Sequence, residues 1–357
     1  MKRILAILPL LAAVVLVQLL TTWTGTQFYL TQMTMAAYYS LLIIGLCVLM
    51  GYAGQISLGH AGFFAIGGYL SAALTTRSLV PFKEAALVRL LDSCGLLHAG
   101  KDLYGAELLV VTPWAAAVFA VLVAALIAVA IGIPVLKLKG HYLAMATLGF
   151  GIIIYRLVLA TPWFGEADGI SGVPPFHLFS GVTVSGESSV RIMNYYLAWG
   201  VLLSGLVLLI NLMQSRIGRA LRAIHGSEEA ADAMGVNIAR FKLQTFVLSA
   251  VFAAIAGVLL THYNGGIGPS EAGVMKSVRY VAIVAVGGMA HLWGAMFMGV
   301  LLNFLSLRGV FGSYDDAVFG LILIVIMLFA PDGILSLLAG RKKKAATVQP
   351  VQQDGEA

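Results

Sequence analysis

Charge is what this sequence lacks. Only 11% of its 357 residues are Asp, Glu, Lys or Arg, against about 25% in soluble domains. A chain so poor in charge cannot clothe a water-soluble surface, which excludes an ordinary globular fold. Acidic residues are scarcest inside the long apolar runs. A transporter coupled to protons or sodium usually needs a ligand there, so ion coupling has only His60 and His262 as poor candidates. Cysteine is nearly missing too. Cys47 in an apolar run and Cys94 in a loop make neither a metal set nor a disulfide. No HExxH, CxxC or Ser-His-Asp spacing is present, so a membrane enzyme finds no catalytic set and no cofactor is implied. Gly268 and Gly273 stand five apart, as in a phosphate loop. Lys276 arrives two residues too late to follow the second glycine. With no LSGGQ-like stretch either, the chain cannot hydrolyse ATP by itself.

What is abundant points one way. Hydrophobic residues make up 60% of the chain and the mean hydropathy is +0.94. Several runs of about 20 apolar residues match the hydrocarbon thickness a helix must cross. The 40 glycines exceed the usual share of about 7%, and small residues let membrane helices approach closely. The net charge of +6 sits mainly beside these runs, as cytoplasmic anchoring requires, and is no sign of nucleic-acid binding. The expected fold is an all-α integral membrane protein of about ten transmembrane helices, broken by glycines, with both termini cytoplasmic. Residues 1–340 form the permeating domain, and 341–357 form a polar, disordered cytoplasmic tail.

In chain order, Met1-Lys2-Arg3 precedes a first, uncleaved span from Ile4 to about Leu20. A second covers roughly Ala36–Met50. Arg77–Glu107 reads as an outer loop, where Pro81 starts a short helix with Leu87, Leu90 and Leu91 on its apolar edge. Leu108–Val135 is a long span ending at the inner-face residues Lys137 and Lys139. Another span opens at Leu138, and Thr161–Arg191 is a turn-rich loop in which Glu166 and Asp168 either solvate the chain or meet a partner. Ile192–Met213 returns inward, and a span follows Lys242. Val278–Val286 and Ala295–Leu307 flank an inner turn at Gly287–Gly294, and a last span runs from Asp315-Asp316 to Ala330. Pro331-Asp332-Gly333 and the anchor Arg341–Lys344 close the chain. Parity requires the Gly287–Gly294 turn if Gln214–Lys242 and Arg341–Lys344 share one side.

Two stretches carry candidate function. From Gly51 to Leu74, glycines punctuate an apolar run in which Gln55, Ser57 and His60 are polar at membrane depth. Ser57, Ala61 and Ala65 recur every fourth residue, giving a small face. The block is either a broken or re-entrant helix lining a substrate path, or a tightly packed one whose polar groups bond to neighbours. Its glycine punctuation and that of Gly287–Gly299 faintly echo each other as a repeat. Gln214–Lys242 is the long polar, basic interruption. Ile217, Leu221 and Ile224 lie at helical spacing with Arg216, Arg219 and Arg222 on other faces. Gly226 breaks this helix and Ser227 caps a second, with Glu228 and Glu229 in the first turn, where negative charge suits the dipole. Gly235 closes it in the left-handed conformation. The stretch is an ordinary cytoplasmic loop or a docking element.

Glu229-Ala230-Ala231, three residues, then Gly235 resembles the EAA loop by which permeases of bacterial ABC importers grip their ATPase subunits. GYAGQISLGHAGFFAIGGY, the Leu138–Ile154 block LKGHYLAMATLGFGIII and the residues flanking the loop resemble the branched-chain amino-acid permeases of that class (LivM-type). The match spans Gly51 to about Ala330. It departs at Gln244, Thr245 and Phe246, where the older EAA pattern has Ile-x-Leu-Pro. It departs again at His141, where relatives often carry Asp or Pro, and at Ile152–Ile154, the region where they carry a Glu. The resemblance implies a permease subunit in the bacterial inner membrane. Its partners would be a second related permease, two ATPase subunits, a periplasmic binding protein and the lipid bilayer. It assigns ATPase coupling to Arg219, Arg222, Glu228, Glu229, Ala230, Ala231 and Gly235, and makes Gln55, Ser57, His60 and Thr147 the candidate substrate path. The solute would be a branched-chain or similar small hydrophobic amino acid. An ion-coupled transporter or channel is the alternative.

Overall fold

A computed structural model of the chain describes residues 4–82, 86–93, 95–101, 107–138, 140–179, 181–309 and 312–329. Met1–Arg3, Lys139, Pro331–Gly333 and the Arg341–Lys344 anchor with its tail lie outside the described residues. The helices are α1 (Ile4–Trp23), α2 (Phe28–Cys47), α3 (His60–Thr76), α4 (Ala86–Ser93), α5 (Pro113–Val135), α6 (His141–Ala160) and α7 (Arg191–Gln214). They continue with α8 (Arg216–Gly226), α9 (Glu228–Ala233), α10 (Ile238–Asn264), α11 (Val274–Gly287), α12 (Leu292–Leu307) and α13 (Asp315–Phe329). Three two-stranded ladders sit between helices: β1 (Leu97–Lys101) with β2 (Glu107–Val111), β3 (Ile170–Ser171) with β6 (Gly266–Ile267), and β4 (Phe176–Phe179) with β5 (Val182–Val184). Among the described residues five helical segments are long and apolar enough to cross a membrane, so the chain is a helical membrane protein.

Burial separates centre from rim. The Phe28–Tyr52 segment is 89% buried in its most apolar window and Ile238–Asn264 67%, whereas Pro113–Val135 and His141–Ala160 reach only 33% and 28%. Hence α2 and α10 form the core and α5 and α6 face outward. The α5 sequence explains its own orientation. Ala116, Ala120, Ala124, Ala128 and Gly132 recur every fourth residue and are buried, while Leu122, Leu126 and Ile133 are exposed. The small stripe lets α5 lie close to α3 and α10, and the large aliphatics meet lipid. At the α3–α10 contact, a Cβ on Gly67 would overlap Ala254 and one on Gly257 would overlap the Phe64 carbonyl.

Several expected boundaries move. The second span starts at Phe28 rather than Ala36, because Thr34 satisfies its hydroxyl on the Leu30 carbonyl and so does not interrupt the helix. Leu108–Val111 belongs to β2, not to the following span. Thr112 is extended ahead of Pro113, which starts α5 where its missing N–H costs nothing. The short outer helix begins at Ala86, past Pro81. The Thr161–Arg191 loop contains β3, β4 and β5, so it is built rather than irregular. Ser57 does not share a helical face with Ala61 and Ala65, since α3 begins only at His60.

α10 serves as a ruler for depth. It is 27 residues long, about 40 Å. His60, the first residue of α3, bonds Ser249 of α10, about 16 Å from the α10 start. The Ala61 N–H donates to Ser277 Oγ (3.2 Å), which sets the first turn of α11 at the same level. From this half depth, α3 climbs to Arg77, whose guanidinium donates to the Trp163 and Pro162 carbonyls at the far end. α11 descends the other way, to the turn after Gly287. At 14 residues, about 21 Å, it is too short to span about 30 Å of hydrocarbon by itself. Two passages through the bundle are therefore only partly α-helical: one holds 53–59 between α2 and α3, the other 265–273 between α10 and α11.

Candidate functional site

The first interruption begins as α2 widens into a π turn, Val48–Tyr52. Ala53 N–H donates to the Val48 carbonyl (3.3 Å) and Gln55 N–H to Leu49 (3.1 Å), and Gly54 takes a φ of +67°. Glycine is required at the bend for space as well. A Cβ on Gly51 would overlap the Met289 carbonyl. The π turn is tied to the α11–α12 turn by Cys47 Sγ, which donates to the Met289 carbonyl (3.2 Å), and by Tyr52, whose hydroxyl donates to Ala290 (2.7 Å). Gly287–Gly294 thus holds a turn between two helices, α11 and α12.

Of the four residues assigned to a path, three hold the interruption together. Leu58 N–H donates to Thr147 Oγ1 (3.0 Å), and the same hydroxyl reaches back to the Leu143 and Ala144 carbonyls of α6. His60 Nδ1 pairs with Ser57 Oγ (3.1 Å) and Nε2 with Ser249 Oγ (2.7 Å). Gly59 lies so close to α6 that a Cβ would stand 2.7 Å from the Thr147 carbonyl. Gln55 differs. It is 1% exposed, and among the described residues neither its amide oxygen nor its nitrogen has a partner. Such groups are uncommon, because burying an unpaired amide costs about 1–3 kcal/mol.

The basic loop folds as its local signals dictate. Ser215 caps α8 by accepting from Ile217 N–H, Ser227 caps α9 by accepting from Ala230 N–H (3.2 Å), and Asn237 caps α10 by accepting from Arg240 N–H. Gly235 has a φ of +79° after α9, and its N–H bonds the Asp232 carbonyl. The buried edge of α8 is Gly218, Leu221 and Ile224, with Gly218 pressed on the Met213 backbone. Ile217, expected on that edge, is instead 37% exposed, because the glycine's close approach rotates it outward.

The assigned coupling residues divide into two groups. Arg219, Arg222, Glu229, Ala230 and Gly235 are exposed, along with Met234 at 84%. Ala231 is buried, and Glu228 turns inward to pair with Lys242, whose side chain is 8% exposed. Sequence reading missed Lys242 as a structural residue. Its partner lies 14 positions away, across a chain reversal that no helical periodicity links. Beside the pair opens a cavity of about 620 Å³ bordered by Ile133, Leu136, Lys137, Arg240 and Leu243, so α5 does not seal the loop. The loop also touches the interruption: a Cβ on Gly54 would stand 3.0 Å from His225 Nδ1 at the end of α8.

A second set was missed outright. Sequence reading does not single out Glu271 and weighs Lys276 only as a phosphate-loop lysine, but the two are paired at 3.0 Å where α11 starts. A signal was present in the composition: residues 265–273 carry Pro269 and four glycines, so α11 starts only at Val274 and the part before it is not α-helical.

Comparison with known proteins bears on both regions. The profile of the family described as "Branched-chain amino acid transport system / permease component" matches residues 28–327. The high-affinity branched-chain amino acid transport system permease protein LivM of Salmonella typhimurium is 31% identical over 324 residues, covering 85% of this chain and 69% of that protein. LivH of Escherichia coli K12 is 28% identical over 320 residues, covering 86% and 96%. BraD of Pseudomonas aeruginosa is 29% identical, covering 85% and 93%. No solved structure matches the chain. With a profile match running from the start of α2 nearly to the end of α13, the chain belongs to the branched-chain amino acid transport system permease family.

Proposed function

We propose that this chain is a membrane-spanning subunit of an ATP-binding-cassette importer that carries branched-chain amino acids across the bacterial inner membrane. The observation that carries the coupling part is the seating of the basic loop. Its outer face offers Arg219, Arg222, Glu229, Ala230 and Met234 to a partner, while its inner edge rests against the Gly54 bend. Movement of α8 would reach the end of α2 and, through the extended 53–59 segment, the His60–Ser249 contact at half depth. Closure of two ATPase subunits on nucleotide would push the loop and rock the helices between inward and outward openings. Translocation is this chain's part, and hydrolysis belongs to the partners.

Both LivM and LivH of one organism, Escherichia coli K12, resemble the chain, at 30% and 28% identity. That supports pairing with a second, related permease, with solute delivered by a periplasmic binding protein. In this reading α1, α2, α3, α5, α6, α7, α10, α11, α12 and α13 make ten crossings, with both chain ends and the basic loop in the cytoplasm. Gln55, Ser57, His60 and Thr147 remain the proposed borders of the path on the α2–α3 side.

Two measurements test this. ATP-driven uptake of labelled L-leucine by the reconstituted complex should be competed by unlabelled leucine and not by urea; competition by urea alone would overturn the solute. With Cys47 and Cys94 replaced, Ser227→Cys should resist an impermeant thiol reagent added to intact cells, and Ser189→Cys at the opposite end should react. Labelling of Ser227→Cys from outside would reverse the topology.

A further inference from the structure

The second interruption holds a polar set that the coupling scheme does not use. Glu271 sits on the single turn Pro269–Ala272, just before α11. Tyr39 of α2 donates its hydroxyl to Glu271 Oε1 (3.0 Å), and Lys276 Nζ donates to the same oxygen. The Lys276 ammonium also lies 5.1 Å over the Tyr39 ring. Both charged side chains keep an open side, 28% for Lys276 and 19% for Glu271.

Three polar atoms around this pair are left over. Glu271 Oε2, the Tyr69 hydroxyl and the Tyr280 hydroxyl are buried without a hydrogen-bond partner among the described residues. Tyr69 and Tyr280 are each 1% exposed. The Tyr280 ring packs against Tyr39 (6.2 Å), and Tyr69 shares a packed cluster with Ala272, the neighbour of Glu271. Buried polar atoms are almost always paired, and ionisable groups at membrane depth face a cavity or a path. Three unpaired atoms near a partly exposed ion pair leave hydrogen-bonding capacity that a ligand can take up.

The chemistry narrows what that is. Glu271 Oε2 asks for a cationic donor. Lys276 has further N–H groups to give to an anion, and the phenols can donate to that anion as well. A metal ion would be repelled by the adjacent ammonium, and a singly charged solute would engage only one member of the ion pair. The zwitterionic head of an α-amino acid supplies both signs on adjacent groups. We infer that Glu271, Lys276, Tyr69 and Tyr280 form a half-depth binding station for the ammonium and carboxylate groups of an α-amino acid. This rests on the amino-acid importer reading above.

The test uses the whole reconstituted complex, with Cys47 and Cys94 replaced and Met275→Cys, next to Lys276 and 63% exposed, as a reporter thiol. L-leucine should slow its modification at least about threefold. 3-Methylbutylamine and 4-methylpentanoate, each with one of the two charges, should not. Glu271→Gln keeps the volume and an oxygen for Tyr39, yet it should abolish protection and cut leucine uptake about tenfold or more. Tyr280→Phe removes a hydroxyl with no protein partner. It should leave thermal stability unchanged and lower uptake about threefold, a split that a packing role would not give. Leucine uptake without protection, or uptake unchanged in both variants, overturns the station. If another α-amino acid protects while leucine is not carried, the station stands and the branched-chain assignment falls.

Discussion

The two interrupted crossings are built in opposite ways. In the first, 53–59, the polar groups serve one another: Ser57 and His60 pair, His60 reaches Ser249, and the Leu58 amide rests on Thr147. No charge is present, and the segment is gripped by the basic loop at one end and by α6 at the other. In the second, 265–273 and the start of α11, a carboxylate and an ammonium form a partly exposed pair near Tyr69 and Tyr280, whose hydroxyls have no partner among the described residues. A break whose hydrogen bonds close on themselves is stiff and suited to passing on a displacement. A break with polarity to spare is suited to holding a ligand. Gln55 is the exception in the first, and it is the residue there to watch.

The largest expected effect comes from wedging the first break open. Gly51→Ala would drive its Cβ into the Met289 carbonyl, and Gly59→Leu would meet Thr147 and Phe150. Either should abolish assembly or uptake, whereas Gly149→Ala on the open face of α6 has nothing within 4 Å and should be neutral or slightly stabilising. Immunoblots of membranes alongside uptake decide it. Normal abundance and transport with Gly51→Ala would mean the break is not held as described.

Next is Gly235→Asp. A side chain at a φ of +79° strains the cap by about 1 kcal/mol or more, and the charge falls at a helix end where it is disfavoured. Because nothing lies within 4 Å of the position, the fold should tolerate it. The protein should accumulate but lose its ATPases on co-purification, and uptake with them. Retained ATPases with full uptake would remove the loop as the coupling element.

A smaller effect is expected from the Glu228–Lys242 pair. Lys242→Met leaves Glu228 unpartnered, and because that carboxylate is one-third exposed the cost should be about 1–2 kcal/mol rather than the 3–5 of a fully buried pair. Thermal unfolding in detergent should show the loss, with partial recovery on adding Glu228→Gln. Additive losses would mean the two side chains do not interact.

The subtlest change is Gln55→Leu. Removing an amide that has no partner should not lower thermal stability. If Gln55 borders the path, uptake falls all the same, and the first break then holds a ligand group as the second does. A stability loss with normal transport would show that the amide is satisfied in the assembled complex.

What the sequence settled by itself was local or compositional. Too few charges for a wetted surface make a membrane chain whatever its contacts. Ser227, Glu228, Glu229 and Gly235 specify a capped short helix because caps act within three or four residues. The blocks around Gly51 and Leu138 carried the family, and the GGMAHLWG break fell on the turn between α11 and α12. Tertiary structure alone decided which groups meet. Thr147 supports Leu58 from 89 positions away, His60 finds Ser249 at 189, and Tyr39 reaches Glu271 at 232. Such pairs depend on how deep each helix starts, and depth is fixed by packing between segments rather than by hydropathy along one. That is why nothing along the chain singles out Glu271, which in the protein meets Tyr39 of α2 just before α11.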